Sequence, residues 1–219
     1  MTDANVERVG KLETATLSDA LDRLGIAGQC LGIKPLDHRF RTAGRAYTLQ
    51  YAPQGPGGNV GDFIDDVAPG SVILIDNGGR EDATVWGDIL TFVAHKRGLA
   101  GTVIDGPCRD THLALDLGYP VFSRSYSMRT GKDRVQLETV NVVINIGDAR
   151  VTPGDLVRGD SDGVIVIPRD REEEILAAAE EIDAAENRIR MAVASGMRLD
   201  EARKQQKYHS LQTRTKASG

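Results

Sequence analysis

The stretch SVILIDNGGREDATVWGDILTFVAHKRGLAGTVIDGPCRD, residues 71–110, carries the main signal for the fold. Its two ends, 71–76 and 100–106, are short runs rich in β-branched residues, which is typical of buried strands. Between them, a glycine-rich loop precedes an apolar-periodic segment, 88–98, that predicts a helix ended by Gly98. A strand, a helix and a second strand in this order predict an α/β fold.

Three elements are predicted before this stretch. Residues 14–25 have leucines at helical spacing, which predicts a short amphipathic helix with Thr16 or Ser18 as its N-cap and Gly25 as its stop. Two further segments, 43–53 and 59–70, are predicted as an extended strand and as a helical turn closed by Pro-Gly.

The sequence after this stretch first continues the alternation, with a short helix over 111–118 and a strand over 119–125. From residue 139 the runs become short and are punctuated by Gly-Asp and Asp-Gly, which predicts antiparallel strands with tight turns. A long helix is expected over roughly 170–195, followed by a polar tail, within one domain spanning 1–219 (helix and tail together about 170–219). Four alanines of that helix are predicted to form a stripe that packs against a partner: Ala177, Ala178, Ala184 and Ala185.

Composition excludes several classes of protein. The 219 residues carry a net charge of −5, which is a poor match for nucleic acid. The two cysteines, Cys30 and Cys108, lack the spacing of a zinc site or a disulfide framework. No apolar run has the length needed to span a bilayer, and no leader-like segment is apparent, so we expect a cytoplasmic protein without membrane or nucleic-acid partners.

Two charged clusters stand twenty residues apart in the central stretch: Asp88 after Gly87, and the pair Arg109 and Asp110 after a Gly-Pro turn. A helix that begins beside Asp88 leaves the next amides, of Ile89 and Leu90, free to bind an anion. The Arg-Asp pair follows a strand, where open α/β sheets build their sites.

A guanidinium polarises an enolate oxygen and an aspartate holds a hard divalent cation, so these residues suit a metal-bound 2-oxo acid. The alternative explanation is structural, with Asp88 as a helix cap and Arg109–Asp110 as a solvated ion pair.

Other residues near these clusters have mainly structural interpretations. Cys108 has no recognisable histidine base and is expected to be a buried filler. Trp86 is predicted to pack under the loop, His95 to face core or solvent, and His112 to be a structural hydrogen-bonding group.

The sequence GGREDATVWGDILTFVAHKRGLAGTVIDGPCRD, together with LGYPVF and VTPGDLVRGDSDGVIVIP, resembles the RraA-like family. This family includes the aldolases of 4-hydroxy-4-methyl-2-oxoglutarate and 4-carboxy-4-hydroxy-2-oxoadipate. The resemblance covers most of the chain. Its most specific element is an aspartate, twenty residues, and then Arg-Asp, which Asp88, Arg109 and Asp110 match.

The resemblance implies a role for each matching position. Asp110 would bind a divalent metal, Mg²⁺ or Mn²⁺, and Asp88 would hold a water of that metal. Arg109 would contact the keto or enolate oxygen. The substrate carboxylate would be bound after Gly87, by the amides of Ile89 and Leu90.

The resemblance also implies an assembly. Family members use an acidic residue from the C-terminal helix of a neighbouring subunit, and Glu186 is the best match here, although Glu180, Glu181 and Asp183 compete. A swivelling ββα sandwich, assembled as a homotrimer or homohexamer, would place such sites between subunits. Where some relatives have an acid three positions after Arg-Asp, this chain has Leu113, which affects the choice of substrate more than the metal site.

The function implied is a class II pyruvate aldolase with oxaloacetate decarboxylation as a side activity. The alternative is a protein-binding inhibitor of a ribonuclease, a role that some family members have. A methyltransferase is disfavoured because no glycine-rich nucleotide loop follows a first strand. Three arginines are weighed as contacts for the far end of the substrate, each with a surface charge as the alternative: Arg80, Arg124 and Arg129.

Overall fold

Strands and helices alternate between residues 72 and 126, and short antiparallel strands then lead into a long helix. The computed structural model describes residues 3–54, 58–211 and 213. The helices are α1 (Ala4–Val9), α2 (Thr14–Leu24), α3 (Asp88–Lys96), α4 (Thr111–Leu117), α5 (Glu172–Ala194), α6 (Leu199–Gln205) and α7 (Tyr208–Leu211). The strands are β1 (Lys34–Pro35), β2 (Thr42–Pro53), β3 (Val72–Asp76), β4 (Gly101–Cys108), β5 (Val121–Tyr126), β6 (Val135–Val140), β7 (Ile144–Ile146), β8 (Ala149–Val151), β9 (Leu156–Gly159) and β10 (Val164–Ile167). Single 3₁₀ turns lie at Ile64–Asp66 and Arg169–Arg171.

Four parallel strands form the centre of the main sheet, in the order β5, β4, β3, β2. The helices α3 and α4 connect β3 to β4 and β4 to β5, as the sequence predicts. Antiparallel strands complete the sheet: β1 pairs with β5, β9 and β6 both pair with β2, and β10 pairs with β9 at the edge. Because parallel strands end at one edge of a sheet, the start of α3 and the residues after β4 lie at the same edge.

Alternate residues of the buried strands face two different cores. Ile73 and Ile104 point to the side covered by α3 and α4. Val72 and Val103 point to the other side, where the β7–β8 hairpin packs. The main sheet is therefore layered between helices and a second small sheet, and the predicted α/β fold of ββα type with a long C-terminal helix is confirmed.

The helix predicted over roughly 170–195 is confirmed as α5, which packs along α2. The predicted alanine stripe is divided, because Ala178 and Ala185 are buried against the chain's own core whereas Ala177 and Ala184 are exposed. The polar tail contains α6 and α7, which the sequence does not predict. Throughout the described ranges, no helix combines the length and apolarity needed to cross a membrane.

The start of α2 differs from the prediction. The helix begins at Thr14, before Thr16 and Ser18, and its N-cap residue makes no side-chain cap bond. The Asp160 carboxylate instead accepts hydrogen bonds from the Thr14 amide at 2.7 Å and from its hydroxyl at 2.6 Å. A carboxylate from a distant strand end thus satisfies the first turn, and local sequence cannot reveal that.

Candidate active site

The two charged clusters predicted from the sequence meet at the start of α3. Gly87 is the N-cap residue and Asp88 is the first helical residue. One detail of the prediction is wrong: the Ile89 amide is not free, because it donates to Asp88 Oδ1 at 2.8 Å. The Leu90 amide has no hydrogen-bond acceptor among the residues that the structure describes. The anion-binding capacity of this helix start therefore rests on Leu90 and on the positive end of the helix dipole.

Asp110 has an unusual backbone and an unusual role for its position. It lies at the N-cap of α4 with φ 53° and ψ 39°, and its side chain does not cap that helix. Its Oδ2 atom lies 3.5 Å from the Asp88 amide nitrogen and 3.3 Å from Arg109 Nε. The left-handed region is uncommon for non-glycine residues, although aspartate and asparagine adopt it more readily than most. The carboxylate is thus directed toward the positive start of α3 instead of its own helix.

Gly87 allows this close approach. A Cβ atom at this position would lie 2.9 Å from Asp110 Oδ2 and 3.3 Å from Arg109 Nε. The backbone of Gly87 is extended, with φ −149°, so other residues could adopt it. Space around the Asp110 carboxylate, and not backbone conformation, therefore requires glycine here.

A cavity of about 510 Å³ opens beside these residues, within the range usual for small-molecule sites. Asp88, Leu90 and Arg109 line one part of it, and the 3₁₀ turn at Ile64–Asp66 lines another. The sequence predicted that turn without a function, although three aspartates in five residues (Asp62, Asp65 and Asp66) were a visible signal.

Trp86 forms part of the cavity wall and is buried, as predicted. Its Nε1 donates to Thr91 Oγ1 at 2.9 Å, and its ring stacks on Tyr119 with centroids 6.4 Å apart. The indole ring therefore fixes the loop before α3 against the core.

The remaining residues near the clusters take no part in the cavity. Cys108 is buried, and burial raises the pKa of its thiol, which confirms a filler and disfavours a nucleophile. His95 is exposed to solvent, one of its two predicted positions. The prediction that His112 is a structural hydrogen-bonding group is wrong. Its side chain is exposed and makes no hydrogen bond within the described part of the chain.

The three arginines considered for the far end of the substrate lie outside the cavity lining. Arg124 forms an ion pair with the buried carboxylate of Asp105. Arg80 Nη1 donates to the Asn77 carbonyl oxygen at 2.7 Å, and Arg129 is exposed. Arg124 thus links β5 to β4, and Arg80 closes the loop after β3.

Glu186 lies on α5, whose main helix neighbours are α2, α6, α1 and α7. Its carboxylate is 3.5 Å from Arg190 Nη1 and 3.4 Å from the Tyr208 hydroxyl. Two of its competitors are more firmly engaged, because Glu180 pairs with Arg8 at 2.9 Å and Glu181 pairs with Arg23 at 2.6 Å. The third, Asp183, accepts a hydrogen bond from the Asn187 side chain at 3.0 Å. Within one chain, none of these four acids reaches the cavity.

The donor set suits only certain metals. Among the described residues, no group of three or more His, Cys, Asp or Glu side chains could hold an ion. A cation here would rest on one or two carboxylates, of Asp110 and Asp88, and would keep several waters. This is the usual coordination of Mg²⁺, whereas Zn²⁺ takes three or four protein ligands.

Comparisons with known proteins identify the family of this chain. The sequence profile of a family described as "RraA-like: Aldolase/RraA" matches residues 14–166, more than half of the chain. A protein of Halalkalibacterium halodurans named "Putative 4-hydroxy-4-methyl-2-oxoglutarate aldolase" is 34% identical over 85% of this chain and 87% of its own length. Protein DlpA of Legionella pneumophila is 42% identical over 87% of this chain, which spans only 32% of that longer protein.

A solved structure shares the fold. RraAS2 of Streptomyces coelicolor, described as an unusual member of the RNase ES inhibitor RraA protein family, superposes with a TM-score of 0.81 and 28% identity. The match covers 87% of this chain and 99% of RraAS2.

Proposed function

Because the chain belongs to the RraA-like family, we propose that it is a divalent-metal-dependent class II aldolase that cleaves a 4-hydroxy-2-oxo acid to pyruvate and a carbonyl product. The observation that carries this proposal is the meeting of Arg109, the Asp110 carboxylate and the start of α3 beside one cavity. The Asp110 carboxylate leaves its own helix uncapped and lies toward the positive start of α3, which a role in ligand binding would explain. The name of the Halalkalibacterium relative also supports an aldolase.

In this proposal the start of α3 binds the substrate carboxylate through the Leu90 amide and the helix dipole. Arg109 donates to the 2-oxo oxygen and stabilises the negative charge that develops there. A base takes the proton of the C4 hydroxyl, the C3–C4 bond breaks, and its electron pair forms the pyruvate enolate. An acid then protonates C3. A divalent cation held by Asp110, with Asp88, would supply Lewis acidity to the same oxygen.

Oxaloacetate decarboxylation follows from the same arrangement. Carbon dioxide replaces the carbonyl compound as the leaving group, and the same enolate forms without removal of a hydroxyl proton. Only the groups around Arg109 and α3 are needed, so this side activity belongs to the proposal.

The proposed enzyme is a homotrimer or homohexamer in which Glu186 of a second copy faces the open side of the cavity. Exposed apolar side chains near the site support an assembly: Ile89 is 75% exposed and Met128 is 89% exposed. Large apolar side chains that flank a site commonly mark an interface. A second copy would cover them and exclude water from the substrate.

The first test is release of pyruvate from oxaloacetate and from a panel of 4-hydroxy-2-oxo acids, measured with lactate dehydrogenase as the coupling enzyme. We expect release with Mg²⁺ or Mn²⁺ that EDTA abolishes, after subtraction of the decay caused by metal alone. No enzyme-dependent release from any substrate with either metal would refute the proposal.

Replacement of Gly87 tests whether Asp110 holds the cation. In the Gly87→Ala variant the new Cβ would force the Asp110 carboxylate to move, because it would lie 2.9 Å from Oδ2. We expect the affinity for Mn²⁺, measured by titration calorimetry, to fall about tenfold, similar to the loss of an outer-shell partner. The urea midpoint should change little, since the new contact is with a partly exposed side chain. Unchanged Mn²⁺ affinity would contradict a role for Asp110 in metal binding.

The alternative function is a protein-binding regulator of a ribonuclease. The likeness to RraAS2 favours it, and a net charge of −5 suits a basic partner. The protein would then inhibit RNA cleavage by purified RNase ES at stoichiometric concentration. Inhibition that EDTA and 2-oxo acids leave unchanged, together with no pyruvate release, would establish this role over the aldolase.

A further inference from the structure

Helix α3 begins at a residue that has no side chain to cap it. Its N-cap is Gly87, where a Cβ atom would lie 2.9 Å from Asp110 Oδ2. Most helices fix their first turn through a serine, threonine, aspartate or asparagine at this position. Because Gly87 cannot do so, another group must orient the first peptide of α3, which joins Gly87 to Asp88.

Thr91 orients this peptide from inside the helix. Its side chain is buried, and its hydroxyl donates to the Gly87 carbonyl oxygen at 2.9 Å, in addition to its amide at 3.0 Å. A trans peptide directs its carbonyl and its N–H to opposite sides. Since the Gly87 carbonyl is held toward Thr91, the Asp88 N–H points out of the helix start. Asp110 Oδ2 lies 3.5 Å from that nitrogen.

A second contact distinguishes Thr91 from an ordinary helical threonine. A threonine hydroxyl that bonds the carbonyl four residues earlier is common in helices and is by itself a local feature. Here Thr91 Oγ1 also accepts a hydrogen bond from Trp86 Nε1 at 2.9 Å. The indole can only donate and the carbonyl can only accept, so the single hydroxyl proton is committed to Gly87. The indole therefore holds the hydroxyl in the direction that fixes the peptide.

Trp86 is itself fixed on two sides. Its ring stacks on Tyr119 with centroids 6.4 Å apart, and the Tyr119 hydroxyl lies 2.9 Å from Thr102 Oγ1 of β4. Its carbonyl oxygen accepts a hydrogen bond from the Arg109 amide at 2.9 Å. Trp86 thus connects the core, the start of α3 and the chain that carries Arg109 and Asp110. A buried polar network in which each member has its partner is rigid.

From these contacts we propose that Thr91 is a positioning residue, whose hydroxyl directs the first turn of α3 at the Asp110 carboxylate. The proposal rests on the aldolase function, in which Asp110 would hold the cation and the Leu90 amide would bind the substrate carboxylate. Thr91 acts through the Gly87 peptide, because it is not among the described residues that line the cavity. Groups that orient a metal ligand from behind contribute strongly to metal affinity.

The experiment measures the affinity of the full chain for Mn²⁺ by paramagnetic resonance of the free ion, without turnover. Thr91→Val keeps the shape of the side chain, removes the hydroxyl and should lower the affinity about tenfold, as the loss of an outer-shell partner does. Thr91→Ser keeps the hydroxyl and should restore an affinity near that of the wild type.

The matched control is Thr102→Val, which also removes a buried threonine hydroxyl that bonds an aromatic side chain. Both valine variants leave one buried polar group without its partner, so both should lower the urea midpoint. Only Thr91→Val should lower the Mn²⁺ affinity. If Thr91→Val does not fold, Trp86→Phe takes its place, because it keeps an aromatic ring and removes the indole donor. It should lower the affinity in the same direction.

Nitrogen-15 spectra of the metal-free chain give a second measurement, since the orientation of the Gly87 peptide does not require a bound ion. The amide resonances of Asp88 and Leu90 should move in Thr91→Val, or in Trp86→Phe if that variant is used. They should stay near their wild-type positions in Thr91→Ser and in Thr102→Val.

Three results would overturn the proposal: wild-type Mn²⁺ affinity in Thr91→Val, an equal loss in Thr91→Val and Thr102→Val, or a loss that serine does not restore. If the wild type binds no Mn²⁺, the metal-dependent function fails, and the two amide resonances decide alone, with unmoved resonances refuting the role of Thr91. If pyruvate is released and Thr91→Val keeps both its affinity and its resonances, only the inference about Thr91 fails.

Discussion

Arg109→Ala is expected to lower kcat for pyruvate release by about a thousandfold, because removing one donor to a developing oxyanion costs this much in comparable sites. The guanidinium is the one cationic group in the described cavity lining, so no neighbour of the same chain replaces it. The fold should survive, since the Arg109 amide still donates to the Trp86 carbonyl oxygen at 2.9 Å and the side chain is 39% exposed.

The measurement is a steady-state assay with oxaloacetate and with the best 4-hydroxy-2-oxo acid of the panel. The matched control is Arg129→Ala, which removes an exposed guanidinium outside the cavity and should keep wild-type rates. Arg109→Lys keeps the charge but not the planar fork and should recover only part of the loss. Wild-type turnover in Arg109→Ala would remove this residue from the mechanism.

Asp110→Asn is expected to reduce the affinity for Mn²⁺ by about a hundredfold or more. The loss of an outer-shell partner alone costs up to about a hundredfold, and a direct ligand should cost at least as much. Asparagine has the same shape as aspartate and tolerates the left-handed backbone that this position requires, so the fold is retained. Alanine would add backbone strain to the loss of the ligand and would confuse the two effects.

Paramagnetic resonance of free Mn²⁺ gives the affinity without turnover, and the assay then gives the loss of activity. Asp116→Asn, on the exposed face of α4, is the matched control and should bind metal as the wild type does. Wild-type Mn²⁺ affinity in Asp110→Asn would show that Asp110 does not hold the cation.

Much of the fold could be predicted from local patterns. The run of residues 71–110 specifies β3, α3 and β4 because β-branched runs, a helical period and Gly98 act within a few residues of one another. The start of α2 could not be predicted, since Asp160 provides the cap from 146 residues away. The strand β6 was also missed, although Val135 and Leu137 alternate with Gln136 and Glu138. Helix α1 was missed because a helix of six residues depends on packing for its stability.

Part of the candidate site could also be predicted from the sequence. The spacing of Asp88, Arg109 and Asp110 predicts that they meet, because a strand–helix–strand unit returns the chain to the same sheet edge. The sequence does not show that the Asp88 carboxylate accepts a hydrogen bond from the Ile89 amide. Nor does it show that Arg124 forms an ion pair with Asp105. Residues 60–66, which also line the cavity, come from a different connection, between β2 and β3, and only the folded chain shows that they lie beside α3.

The pairing of β2 has a consequence for how the chain is made. Its first half pairs with β9, where Thr42 lies opposite Gly159, and its second half pairs with β6, where Leu49 lies opposite Val140. A ribosome must therefore deliver more than a hundred residues after Thr42 before this strand has its last neighbour. Until then the nascent chain presents an open edge, which is the usual template for aggregation, and such distant pairings slow folding. Truncation before β9 would leave that edge permanently open, so the part of the sequence that carries the candidate site is not separable from the strands that follow it.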